Sequence, residues 1–192
     1  MIAILKYNAG NTKSVENAIK RLGYDCIVTD DVQQLQQADK VIFPGVGKAA
    51  SAMSYLKQKG LDTVIKNLQQ PVLGICLGLQ LMCTSSEEGA TTGLGIFNVA
   101  VKKFPQQDIV PHMGWNNFSE CSSSLFDGIA VDDNVYFVHS YYAELSKNTI
   151  AQCNYILPFS AALQKDNFYA VQFHTEKSGV VGEQILKNFL AV

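Results

Sequence analysis

Residues Pro71 to Met82 read PVLGICLGLQLM. An apolar run of strand character passes straight into a helical pattern across one cysteine, with a glycine two residues before it and another two after it. A chain that changes from strand to helix without linker residues has to turn sharply at the junction. The flanking glycines carry no Cβ and let neighbouring backbone pass close to that turn. A strand feeding directly into a helix is the repeating unit of a parallel, doubly wound sheet, and the first half of the chain repeats it. MIAILKY is a short apolar strand. NTKSVENAIKRLGYD sets Val15, Ala18, Ile19 and Leu22 at helical spacing, with Gly23 as the stop signal. DCIVTD is a second strand, and DKVIFPGVG a third that ends in a tight glycine loop. KAASAMSYLKQKGLDTVIKNLQQ supplies one or two helices.

The second half has a different grain. TTGLGIFNVAVKKF, NVYFVHSYYAEL, NTIAQCNY and FSAALQKDNFYAVQF are strand-like runs joined by short polar turns, which predicts antiparallel hairpins added to the sheet. SGVVGEQILKNFL closes the chain as an amphipathic helix. Active sites in such sheets lie beyond the C-terminal ends of the parallel strands. That rule marks three loops: NAGNT after the first strand, PGVG after the third and GICLG after the fourth.

Composition narrows the partners. The 192 residues suit one domain, 47% of them apolar and 17% charged, with a net charge of −2. No basic run exceeds two residues, as at Lys102-Lys103, so nucleic acid is not expected as a partner. No apolar run reaches the ~20 residues of a membrane span, and the N-terminus lacks the parts of a signal peptide. The five cysteines, Cys26, Cys76, Cys83, Cys121 and Cys153, are odd in number and irregularly spaced. Such a set forms no disulfide framework or zinc ribbon and points to a reducing cytoplasm.

Gly74-Ile75-Cys76-Leu77-Gly78 has the form of a nucleophile elbow with sulfur in place of hydroxyl. A strained turn would present the sulfur at a helix N-terminus, whose dipole favours negative charge. The Leu77 N–H would face the same spot, ready for an oxyanion. The pentapeptide is equally compatible with an ordinary buried cysteine. Gly45-Val46-Gly47-Lys48-Ala49-Ala50 loosely fits a dinucleotide fingerprint, but it follows the third strand rather than the first, and it lacks the residues of a P-loop. A glycine loop at a helix start can instead present N–H groups to an anion, or it can be a turn and nothing more. Of the three histidines, no pair has metal-ligand spacing, so no metal site and no cofactor is expected. His174 and Glu176 lie two residues apart after an apolar run. In an extended strand they would share one face, and Glu176 would orient His174 as the base for Cys76.

PGVG, GICLGLQ and QFHTEKS, in this order and spacing, resemble the class I, triad-type glutamine amidotransferases. YNAGN near the start, PHMGWN at 111–116 and YFVHSYY at 136–142 make the chain similar, within that class, to the glutaminase subunits of imidazole glycerol phosphate synthases. Pattern and resemblance together imply an α/β fold: a three-layer, flavodoxin-like, mostly parallel sheet with helices on both faces and added antiparallel strands in the C-terminal half. One glutamine amidotransferase domain is expected over residues 1–192.

The resemblance implies a Cys76-His174-Glu176 triad that hydrolyses L-glutamine and passes ammonia to a (β/α)8 synthase subunit in a heterodimer. It implies oxyanion donors at Leu77 and in the Val46-Gly47 region. Glutamine would be contacted by Gln80, Glu88 and the His139-Ser140-Tyr141 segment, and Tyr136 and Lys177 would lie at the ammonia exit, with Met113, Trp115 and Asn116 near the partner surface. Gln80 could equally be a solvated helix residue, His139 a satisfied buried histidine and Trp115 a core aromatic. One departure stands out: Thr175 occupies the place between histidine and glutamate where the family usually has proline. A related amidotransferase with another synthase partner, or a non-catalytic binding module on the same fold, would share most of these residues.

Overall fold

The computed structural model describes residues 1–192. Its first strand shows how the layers arise. β1 (Ile2–Leu5) is IAIL, buried along its whole length. Alternation sends Ala3 and Leu5 to one face of the sheet and Ile2 and Ile4 to the other. A strand buried on both faces reads as a continuous apolar run, the mark of a central parallel strand.

The first half winds as α1 (Thr12–Arg21), β2 (Cys26–Thr29), α2 (Val32–Gln37), β3 (Lys40–Phe43), α3 (Ala49–Gln58), α4 (Leu61–Lys66), β4 (Val72–Ile75) and α5 (Leu77–Met82). Next come β5 (Cys83–Ser86), β6 (Thr91–Thr92), β7 (Phe97–Lys103), β8 (His112–Asn116), β9 (Glu120–Cys121) and β10 (Val135–His139). The chain ends with β11 (Tyr141–Ala143), β12 (Thr149–Tyr155), β13 (Leu157–Lys165), β14 (Phe168–Val171) and α6 (Gly179–Ala191). The main sheet runs β2-β1-β3-β4-β14-β13-β11-β7-β5-β6, with β12 added beside β13 and β9 beside β12. One core joins the sheet to α2, α3, α4 and α5, through Leu35, Leu56, Ile65 and Leu79. The other joins it to α1 and α6, through Val15, Ile19, Ile185 and Phe189. The three-layer expectation is met.

Three local expectations change. FYAV of β14 was expected as part of a hairpin. It does pair antiparallel with β13, yet its other edge lies parallel to β4, with Val171 opposite Ile75. All four of its residues are buried, as a central strand requires. The run NVYFVHSYYAEL is two strands rather than one. β10 pairs with β8 in a separate two-stranded ribbon, and after Ser140 the chain enters the main sheet as β11. Finally, VQQLQQ is a helix, capped by the Asp31 carboxylate accepting from Gln34 N at 2.9 Å. Only Leu35 of it is buried, so its periodicity is too sparse to read from sequence.

Candidate active site

Cys76 is the single residue between β4 and α5. Its backbone sits at φ 53°, ψ −106°, a conformation that costs a non-glycine residue about 1–3 kcal/mol. The surroundings impose it. The Cys76 N–H donates to Val171 O at 2.8 Å, and α5 presses against the sheet. A Cβ on Gly78 would come within 2.0 Å of Phe43 O, and one on Gly74 within 3.0 Å of the Gly78 backbone. The two glycines are therefore close-approach sites, as the elbow pattern predicted.

His174 does not lie on a strand. β14 stops at Val171, and residues Thr175–Lys177 form a short 3₁₀ turn with His174 at its head. The period-two argument for its pairing with Glu176 is therefore replaced by turn geometry, and the pair forms all the same. His174 Nδ1 and Glu176 Oε1 are 2.8 Å apart, with both side chains 2% exposed. Ser178 fastens the turn: its Oγ donates to His174 O at 2.6 Å and accepts from Tyr136 N at 2.9 Å. Helix α6 braces it from behind, because a Cβ on Gly182 would lie 2.0 Å from Thr175 O.

Burial works against a charge on His174, but Cys76 and Glu176 outweigh it and raise its pKa above the ordinary histidine value. His174 Nε2 and Glu176 Oε2 are buried without a protein hydrogen-bond partner. Thus the sulfur acts on the imidazole by proximity and is not at hydrogen-bond geometry to it.

Cys76 and His174 open on one cavity of about 310 Å³, lined also by Leu77, Gln80, Glu88, Val46 and Gly47. Its far wall is Val138, His139, Ser140 and Tyr141. Gln80 is not solvated: it is buried, and its Nε2 donates to Tyr141 O at 2.9 Å and Gln172 Oε1 at 3.0 Å. Of the adjacent glutamates, Glu88 lines the cavity and accepts from Ala49 N at 2.8 Å, whereas Glu87 turns away to Lys102 and the Lys103 amide. His139 is buried and its two ring nitrogens are both engaged.

The backbone N–H groups expected to meet an oxyanion are engaged elsewhere. Leu77 N–H donates to Gly45 O at 3.3 Å, and Val46 N–H to Ala9 O at 2.6 Å. The PGVG loop lies so close over the elbow that a Cβ on Gly45 would meet Leu77 Cβ at 2.8 Å. The Gly45 carbonyl therefore caps the amide that an oxyanion would need. This carbonyl and the Val46 N–H belong to one peptide unit, which pivots at Gly45, a residue with no Cβ to restrict it.

On the outer surface, Met113 and Trp115 are exposed on β8, and Trp115 packs edge-on against Tyr136 at 5.8 Å. Lys177 Nζ lies 6.0 Å from the Tyr136 ring. These four form one patch. Asn116 turns to the opposite face of β8 and reaches His112. Trp115 is not core. Sequence reading missed Gln172, Ser178 and Gly182, and weighed His112 only as one of three candidate bases. Each is an ordinary residue type whose role depends on what folds against it; only the adjacency of Gln172 and Ser178 to the His174–Glu176 motif was a signal.

A sequence model of the class-I glutamine amidotransferases matches residues 3–192. The chain belongs to this family. It is 58% identical, over 98% of both chains, to the imidazole glycerol phosphate synthase subunit HisH of Bacteroides thetaiotaomicron. It is 48% identical, again over 98% of both, to the HisH subunit of Yersinia pseudotuberculosis. Among solved structures it is similar in fold to a glutamine amidotransferase, with TM-score 0.74, 14% identity, and coverage of 99% of this chain and 97% of the other. No helix is long and apolar enough to cross a membrane.

Proposed function

We propose that this chain is the glutaminase subunit of an imidazole glycerol phosphate synthase. The supporting observation is the convergence on one cavity of a strained elbow cysteine, a buried His174–Glu176 pair, and a wall made by Gln80, Glu88 and residues 139–141. In this reading the Cys76 thiolate attacks the side-chain amide carbon of glutamine. The tetrahedral intermediate collapses as protonated His174 gives its proton to the leaving nitrogen, releasing ammonia and leaving a thioester. Water, deprotonated by His174, then attacks the thioester, and glutamate departs with regeneration of Cys76. Glu176 holds the imidazole by Nδ1 and stabilises its cation. Leu77 N–H and the Val46-Gly47 backbone meet the oxyanion once the Gly45 carbonyl swings clear, so resting turnover is low.

Ammonia passes to a (β/α)8 synthase subunit that docks on the patch of Met113, Trp115, Tyr136 and Lys177, in a cytoplasmic heterodimer. The relatives named HisH support this partner. The test is Cys76→Ala in the complex with its synthase. Glutamine-dependent turnover should vanish while turnover supported by added ammonia persists. Retention of the glutamine-dependent rate would exclude Cys76 as the nucleophile.

A further inference from the structure

A second set of buried polar groups lies behind the triad. His139 Nδ1 is 2.7 Å from Tyr141 O. A carbonyl can only accept, so this nitrogen carries the proton. Burial lowers the pKa of His139 to about 3 and that of His112 to about 4, so both rings are neutral. His139 Nε2 is then an acceptor, and the nitrogen 3.0 Å away, His112 Nδ1, must donate. By the same logic His112 Nε2 accepts, and Asn116 Nδ2 donates to it at 3.2 Å. The second N–H of Asn116 goes to Asn154 O at 3.1 Å. Each tautomer is thus forced, and the donors point one way, from Asn116 on β8 to Tyr141 O at the cavity wall.

That carbonyl also accepts from Gln80 Nε2. Gln80 spends its other N–H on Gln172 Oε1 at 3.0 Å. The orientation of the Gln172 amide follows, and its Nε2 is aimed at Cys76 Sγ, 3.7 Å away. Gln172 is wholly buried. On another side the sulfur meets an acceptor, Val138 O, at 3.9 Å. A thiol can give its proton toward Val138 O, whereas a thiolate has no donor there and is served by Gln172.

We infer that Gln172 is a further catalytic residue, a neutral N–H donor to the Cys76 sulfur, and that Gln80, His139 and His112 are positioning residues that fix its aim. The inference rests on the glutaminase reading. It also joins the nucleophile by an unbroken hydrogen-bond path to β8, the strand that carries exposed Met113 and Trp115 on its opposite face.

The test is the pH profile of Cys76 alkylation by iodoacetamide in the full chain, read at that cysteine by peptide mass spectrometry, together with glutaminase kcat and KM in the complex. Gln172→Met keeps the volume and removes the donor. Its alkylation midpoint should rise by about one pH unit, because a hydrogen bond to a charged group is lost. Its kcat should fall roughly tenfold, the rate equivalent of that one-unit shift, with KM within about threefold. Gln80→Met leaves Gln172 present but unaimed and should shift the midpoint in the same direction by less; it decides the matter alone if Gln172→Met does not fold. An unmoved midpoint with kcat within about twofold of the parent overturns the inference. Glutamine should protect Cys76 of the unaltered chain from alkylation. Failure of that protection counts against the glutaminase reading, whereas protection with an unmoved midpoint overturns the donor role alone.

Discussion

Two buried histidine sites in this molecule are built for opposite ends. At the turn after β14, His174 faces a buried carboxylate 2.8 Å from Nδ1, and its Nε2 is left without a protein partner. On the β8–β10 ribbon, His112 and His139 have no carboxylate, and their four ring nitrogens are all engaged. Burial lowers the pKa in each case, but only beside Glu176 and Cys76 does the balance reverse. Burial alone therefore does not fit a histidine for proton transfer. A buried counter-charge with one free nitrogen does, because that ring can gain a proton and still has an atom with which to give it away.

The largest effect expected from breaking this contrast is at Glu176. Glu176→Gln keeps the shape, removes the charge and allows the wrong tautomer. Glutaminase kcat should fall about 10²–10⁴-fold with little change in KM, as for the orienting acid of other triads. Loss of less than tenfold would mean that Glu176 is structural.

Acid titration should separate the two sites next. In the unfolded chain the imidazoles bind protons near pH 6.5, whereas native His112 and His139 resist until about 4 and about 3. The unfolded state then binds more protons, so their contribution is complete above the unfolded pKa and is lost as pH falls. Urea unfolding should show the pair costing about 5 kcal/mol between pH 7 and 4.5. Replacing both by neutral residues should flatten that slope. His174, with its pKa raised, contributes with the opposite sign: its share is complete below the unfolded value and is lost as pH rises through the folded one.

Gly182→Ala should act on the His174–Glu176 turn and leave the ribbon untouched. The added methyl group meets Thr175 O and must push α6 or the turn aside. A destabilisation of about 1–3 kcal/mol is expected, with a fall in kcat and no change in the His112–His139 acid slope. Equal activity to the parent would show that α6 does not set the turn.

The smallest change should come from Thr175→Pro. Thr175 is the first residue of its turn, where proline is favoured, and His174 already holds the extended backbone that must precede proline, at φ −90°, ψ 100°. The glutaminase rate should change by less than about tenfold, or roughly 1.4 kcal/mol. A complete loss would show that the Thr175 side chain matters.

Much of this was legible in the chain itself. The elbow is local: strand, glycine, cysteine, glycine and helix specify the turn at Cys76 from a few consecutive residues. The alternating buried pattern of IAIL and the spacing in α1 and α6 likewise carry the layers, because period two and period 3.6 depend only on neighbours. Sequence could also supply residue types fit for a thiol triad. It could not place them. His174 reaches Cys76 because β14 lies parallel to β4, an arrangement set by long-range pairing between distant segments. Ser178 and Gly182 matter only through what packs on them, and Gln172 only through the sulfur opposite it. The capping of Leu77 N–H by Gly45 is of the same kind. Hydrogen-bond partners across strands, and the tautomers they force, exist only after the backbone has closed.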